Sequence, residues 1–172
     1  GGVVIDCDAV YHEMLDKDVD LRHAIEVKFH GVFNSDGTLN RKKLGELVFE
    51  NKERMAQLNE VIYQFLVPEI QKRAREGYLT AIDAINLLES GMARLCDRTI
   101  AITAPAELRV RRIMARDGIP EEYARLRVRA QKDEAFYRAR CTDVLVNDCG
   151  SAAAFTEKAR QALETILKEE RA

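Results

Sequence analysis

Two aspartates one residue apart follow an apolar run in the stretch GGVVIDCDAVYHEML. Val3, Val4 and Ile5 read as a buried strand, and ligands of open α/β sheets sit beyond the carboxyl ends of such strands. A carboxylate placed there can accept the proton of a substrate hydroxyl as that hydroxyl attacks a phosphoryl group. The spacing predicts that Asp6 ends the strand and Asp8 begins the next helix as its cap. Spacing alone leaves the simpler role open, in which one acid caps the helix and the other is solvated.

A second constellation lies in AELRVRRIMARDGIPEEYARLRVRAQ, where seven arginines fall between positions 109 and 129. Arg109, Arg112 and Arg116 share one helix face, Arg125 and Arg129 another, and Arg127 lies between these last two. Guanidinium forks match phosphate oxygens, and a cluster able to close over a nucleotide supplies charge in phosphoryl transfer. The alternative is a surface face salt-bridged to Glu107, Glu121 and Glu122. A third, weaker signal is VLVNDCGS, a strand running into Asn147 and Gly150, whose loop could line a base pocket.

Two motifs fail on inspection. DKDVD puts Asp16, Asp18 and Asp20 at the first three calcium-loop positions, but Leu21 and Val27 stand where glycine and glutamate are required. His12 and Glu13 start a zincin pattern that lacks its second histidine. The three histidines have no ligand spacing, and the chain is expected to build no metal site of its own.

The elements that must position these residues are legible. VVID, LTAIDA, TIAITA and VLVN are short apolar runs separated by helical stretches, the pattern of an α/β fold whose parallel sheet is covered on both faces. A mostly helical insert, about residues 9–77, divides the first two strands. It holds the turn NSDGTLN, a helix with Leu44, Leu47 and Val48 on one face, and a longer helix through Leu58, Ile62 and Phe65 ending at Gly77. Residues 104–141 form a second helical block, with Pro105 at a helix start and Gly118 at a stop. Ser151 is a plausible cap for a last amphipathic helix carrying Phe155, Ala159, Leu163 and Ile166. With 172 residues, the whole reads as a single domain, 1–172.

The net charge of −2 gives no argument for nucleic acid, and no apolar stretch approaches the roughly 20 residues that span a bilayer. Cys7, Cys96, Cys141 and Cys149 form no CxxC pair, which fits a reduced, cytoplasmic protein.

Taken in order, these pieces resemble the dephospho-coenzyme A kinases. VIDCDAVYHEML is similar to the family's VIDAD…H-E-L segment, DGTLNRKKLGELVF to its DG…-DR…LG…-VF element, and DAINLLESGM to DAPLLFEAGL. CDRTIAITAPAELRVRRIMARDGIPEEYARLRVRAQ keeps the spacing of the family's lid, and the likeness runs from Val4 to about Ser151. The resemblance implies a P-loop NTPase-like fold with a helical insert on the CoA side and a helical lid, about 105–141. It implies transfer of the ATP γ-phosphate to the ribose 3′-hydroxyl of dephospho-CoA, the last step of CoA synthesis. ATP enters with Mg²⁺ as a substrate complex, and no cofactor is tightly bound. The partners are the two small-molecule substrates, with no nucleic acid or membrane; the oligomeric state is left open.

Position by position, the resemblance makes Asp8 the base on the 3′-hydroxyl and Asp6 an orienting or metal-water contact. It puts His12, Leu39, Arg41, Leu44, Leu87, Glu89 and Gly91 on the CoA side. It puts Arg112, Arg116 and Arg127 on the ATP lid and Asn147 on the adenine-side loop. Two departures fall on the acceptor side: Tyr63-Gln64 replaces a His-Pro pair, and Ile85 and Leu88 replace a proline and a phenylalanine.

A further departure is that the family's opening strand, GxxGxGK[ST] loop and helix have no counterpart in these residues. That segment amounts to roughly 25–30 residues. The expectation is that the native protein carries it and that the chain as given is inactive toward ATP, since the loop supplies backbone N–H groups, a lysine and a hydroxyl to the phosphates and Mg²⁺. Two other classes stay open on sequence: a non-catalytic CoA- or nucleotide-binding module, and another nucleoside or nucleotide kinase with a similar lid.

Overall fold

The computed structural model describes residues 2–49 and 51–169. They form an α/β fold in two compact units, residues 1–95 and 96–172, each holding one parallel strand pair.

In the first unit, β1 (Val3–Asp6) pairs in parallel with β2 (Thr80–Asp83), Val3 opposite Thr80 and Asp6 opposite Asp83. The Val3 N–H donates to the Leu79 carbonyl at 2.8 Å. This close approach demands glycine at position 2, where a Cβ would lie 2.8 Å from that same oxygen. Between the strands run α1 (Cys7–Lys17), α2 (Val19–Lys28), α3 (Arg41–Val48) and α4 (Lys52–Arg73).

Side-chain caps start each of these helices. Asp18 accepts from the N–H groups of Asp20 and Leu21, so the acidic DKDVD stretch is the cap that separates α1 from α2. Asn40 caps α3 through the Lys43 N–H, and Asn51 caps α4 through that of Arg54. In the turn before α3, both the N–H and the hydroxyl of Thr38 donate to Asp36, and Phe33 bridges Leu39. The longer helix ends at Arg73, capped by Ala74, four residues before the expected Gly77, which instead turns the chain toward β2. The core lies among these helices: Leu21, Ile25, Phe29, Val32, Ile70 and Met92 are closed to solvent, and Cys7 is buried beside them. Glu13 on α1 binds Arg73 on α4 at 2.9 Å, and Glu69 holds the same guanidinium at 2.8 Å.

In the second unit, β3 (Ile100–Thr103) pairs in parallel with β4 (Asp143–Val146). Reciprocal bonds between Thr99 and Thr142 and the Arg98–Asp143 ion pair anchor the start of this pair. The helices are α5 (Ala106–Asp117), α6 (Glu121–Ala130), the short α7 (Glu134–Arg138) and α8 (Ala152–Glu169). Gly118 ends α5 with φ +64° and donates to the Met114 carbonyl, as the stop signal predicts. Ser151 Oγ accepts from the Ala154 N–H and so caps α8, again as predicted. The buried apolar cluster here is small: Val110, Ala124 and Val128, flanked by Ile113, Met114 and Ile119. No residue of α8 is fully buried, and Leu163 on its apolar stripe is 41% exposed. Among the described residues no helix is long and apolar enough to cross a membrane.

Candidate functional site

The carboxyl edge of the β1–β2 pair carries the acids. Asp6 is the N-cap of α1, its Oδ1 accepting from the Ala9 N–H at 3.0 Å. The expected cap, Asp8, lies inside the first helical turn instead, because the helix begins immediately after the strand. This inversion matters chemically. Asp6 is committed to backbone, whereas the Asp8 carboxylate is exposed and has no hydrogen-bond or ion-pair partner among the described residues. Asp83, at the end of β2, stands next to Asp6 in register. Sequence reasoning passed over Asp83, although a strand ending in aspartate (TAID) repeats the VVID signal.

Other expected acceptor-side residues divide among different places in this unit. Leu39 and Arg41 line a pocket of about 310 Å³ together with Asp16, Arg22, Asp36 and Thr38. That pocket is lined by two guanidinium groups, Arg22 and Arg41, and two carboxylates, Asp16 and Asp36. Burial pushes the Tyr11 hydroxyl's pKa up, and the charge of Arg41 partly offsets this. His12 is exposed and tilted against the Tyr11 ring at 5.8 Å. Leu44 is a buried core residue, in one cluster with Val48, and does not line that pocket. Leu87 packs against the core, and Gly91 turns the chain out of the 86–91 loop with φ +76°. Glu89 lines a separate groove against α4.

The expected lid residues sit in the second unit. Arg112 on α5 donates to the Asn147 carbonyl (3.3 Å), to Asn147 Oδ1 (3.1 Å) and to the Cys149 carbonyl (3.0 Å). Two residues assigned separately from sequence are thus in direct contact. Arg116 and Arg127 both bind Asp117, one from the adjoining position and one from α6. Hydrogen bonding from Arg116 holds the Asp117 carboxyl below its usual range; burial opposes it, and the charges of Arg116 and Arg127 add smaller downward pulls. Arg125 is clamped between Glu107 and Glu121 at 2.7 Å each, which is the salt-bridged alternative realised at that position. All three ion-paired arginines are exposed or half-buried, so an anion of higher charge can compete for them.

Comparison with known proteins follows the same lines. The family model described as "CoaE: Dephospho-CoA kinase" matches residues 1–153. A dephospho-CoA kinase of Bacillus licheniformis is 32% identical over 96% of this chain and 85% of its own length. One from Thermobifida fusca is 28% identical over 98% of this chain and 86% of its own. Among solved structures, the Thermus thermophilus protein TT1252 superposes with a TM-score of 0.67 at 31% identity, covering 98% of this chain and 85% of that one. A dephospho-CoA kinase from Campylobacter jejuni gives a TM-score of 0.65 at 24% identity over 99% and 87%, which speaks for the fold.

Proposed function

Because the chain belongs to the dephospho-CoA kinase family, we propose that its exposed Asp8 is the base through which it performs the family's reaction. The protein is an ATP-dependent phosphotransferase that acts on dephospho-CoA, the last step of CoA biosynthesis. The 3′-hydroxyl oxygen attacks the γ-phosphorus and a new P–O bond forms. The bond to the β,γ-bridging oxygen breaks, ADP leaves, and the hydroxyl proton passes to Asp8.

The observation that carries this reading is the unpartnered Asp8 carboxylate in the first turn after β1. A base tied into a cap or an ion pair would have to break that bond first; Asp6 is so tied. Asp6 and Asp83 supply neighbouring oxygen donors, a set that suits a hard cation held through water. Mg²⁺ arriving with ATP would neutralise phosphate charge there. Arg41 and Arg22 offer forks for the acceptor's phosphates where these displace Asp16 and Asp36 beside them, and residues 9–77 are assigned as the acceptor-side insert. Residues 105–141 are assigned as the lid, whose Arg112, Arg116 and Arg127 exchange their present oxygen partners for those of ATP. The substrates, together with four cysteines that form no disulfide, fit the cytoplasm.

The test is an ATP-dependent 3′-phosphorylation assay with full-length protein and its Asp8→Asn variant. The variant is expected to bind dephospho-CoA with unchanged affinity and to lose on the order of 10²–10⁴-fold in turnover. Equal turnover would remove Asp8 from the mechanism.

A further inference from the structure

The backbone beyond β4 is held from two sides. The Asn147 N–H donates to the Thr103 carbonyl at 2.7 Å and so carries the β3–β4 ladder one bond further. A trans peptide points its N–H and C=O in opposite directions, so the Val146 carbonyl must face away from β3. Lys158 of α8 meets it there: its Nζ donates to the Val146 carbonyl and to Asp148 Oδ1, each at 2.8 Å. Arg112 takes the other side, with the Asn147 and Cys149 carbonyls and Asn147 Oδ1 as its acceptors. Residues 146 and 148 thus belong to Lys158, and residues 147 and 149 to Arg112, the alternation of an extended backbone.

The two cations differ in how firmly they are kept. Among the described residues Arg112 bonds only neutral oxygens, whereas Lys158 is ion-paired with Asp148. Hydrogen bonding to Asp148 pushes the Lys158 pKa up, which keeps the ammonium charged. A polyphosphate therefore draws Arg112 away first, and Lys158 stays behind the strip. Three acceptor oxygens are then left where planar N–H groups had stood. A purine with a 6-amino group supplies such donors; one with a 6-oxo group sets an acceptor against acceptors.

We infer that Lys158 is a positioning residue for the nucleobase: from behind the strip it fixes the Asn147 and Cys149 carbonyls that select an amino purine. The inference rests on the kinase reading only for bringing a nucleotide to this loop.

The test measures ATP, GTP and dephospho-CoA binding by calorimetry, beside phosphoryl transfer, in full-length wild type, Lys158→Met and Lys158→Arg. Methionine keeps most of the stem and removes the ammonium; arginine restores a cation that can reach both oxygens. Wild type should prefer ATP to GTP. Lys158→Met should weaken ATP binding about tenfold and GTP binding by no more than about twofold, so that the preference shrinks. Turnover at saturating ATP and the affinity for dephospho-CoA should stay unchanged, and Lys158→Arg should recover ATP binding to within about threefold. A merely structural role would lower all three affinities together, and that result would overturn the inference. So would wild-type ATP affinity in Lys158→Met, equal losses for ATP and GTP, no recovery in Lys158→Arg, or a wild type that does not prefer ATP. The expected shifts in nucleotide binding without any transfer to dephospho-CoA would instead sink the kinase reading and leave the role of Lys158 standing.

Discussion

The two units hold their helices together in different ways. In residues 2–95, α1, α2 and α4 meet over side chains that are almost wholly closed to water, Phe29 at 1% exposure and Ile25 at 0% among them. In residues 96–169 the α5–α6 hairpin shares three small buried side chains, and carboxylate–guanidinium pairs surround them. Apolar burial is strong and indifferent to salt; exposed ion pairs are weak, and salt and acid both dissolve them. On the function proposed above, this asymmetry is useful: a fixed carboxylate would stand on the first unit, while arginines of the second could leave their resting partners for a nucleotide.

The comparison breaks most readily in the first unit. Phe29→Ala should lower stability by about 3–5 kcal/mol in denaturant unfolding. A loss below about 1 kcal/mol would mean that this core is not what holds α1, α2 and α4. Val128→Ala in α6 should cost less, about 2 kcal/mol, and its effect on amide exchange should stay within residues 106–130.

The smallest effect sharpens the contrast by pH. Glu107 is held below its ordinary 4.5 by hydrogen bonds from Arg125, and Asp117 below its ordinary 3.8 by Arg116 and Arg127. Groups with depressed folded pKa values stabilise the fold above their unfolded values and lose that contribution as the pH falls through the folded ones. Protection of the α5–α6 amides, taken relative to their intrinsic exchange rate at each pH, should therefore fall as the pH drops below about 4, with the α2–α4 core lagging behind. On α8, where Arg160 and Gln161 pull Glu157 down to about 2, the contribution should persist to lower pH than on α5–α6. Uniform loosening of both units would contradict the contrast.

Much of this was legible in the sequence because the signals are local. All four strands lie where apolar runs put them, and Gly118 and Ser151 act as the stop and cap that their types suggest. Long-range choices left no local trace. No period in the sequence says that β1 pairs with β2 and β3 with β4, or that Arg112 reaches Asn147 across 35 positions. The exchange of roles between Asp6 and Asp8 turned on a shift of two residues in the helix start, beyond the resolution of cap propensities. Asp18 was hidden for a related reason: an acidic run reads as solvated until one carboxylate is seen to end one helix and begin another. The groove at Glu89 was invisible because its walls come from α4 and from a loop more than 20 residues later.

Cys7 follows directly on the strand end as the first residue of α1, and its side chain is buried in the core of the first unit. A sulfhydryl so placed is silent toward alkylating or oxidising reagents while the helix stays seated, and Cys96, Cys141 and Cys149, each partly accessible, meet such reagents first. Modification at position 7 is thus a chemical memory of past excursions in which the segment bearing Asp8 had lifted from its seat.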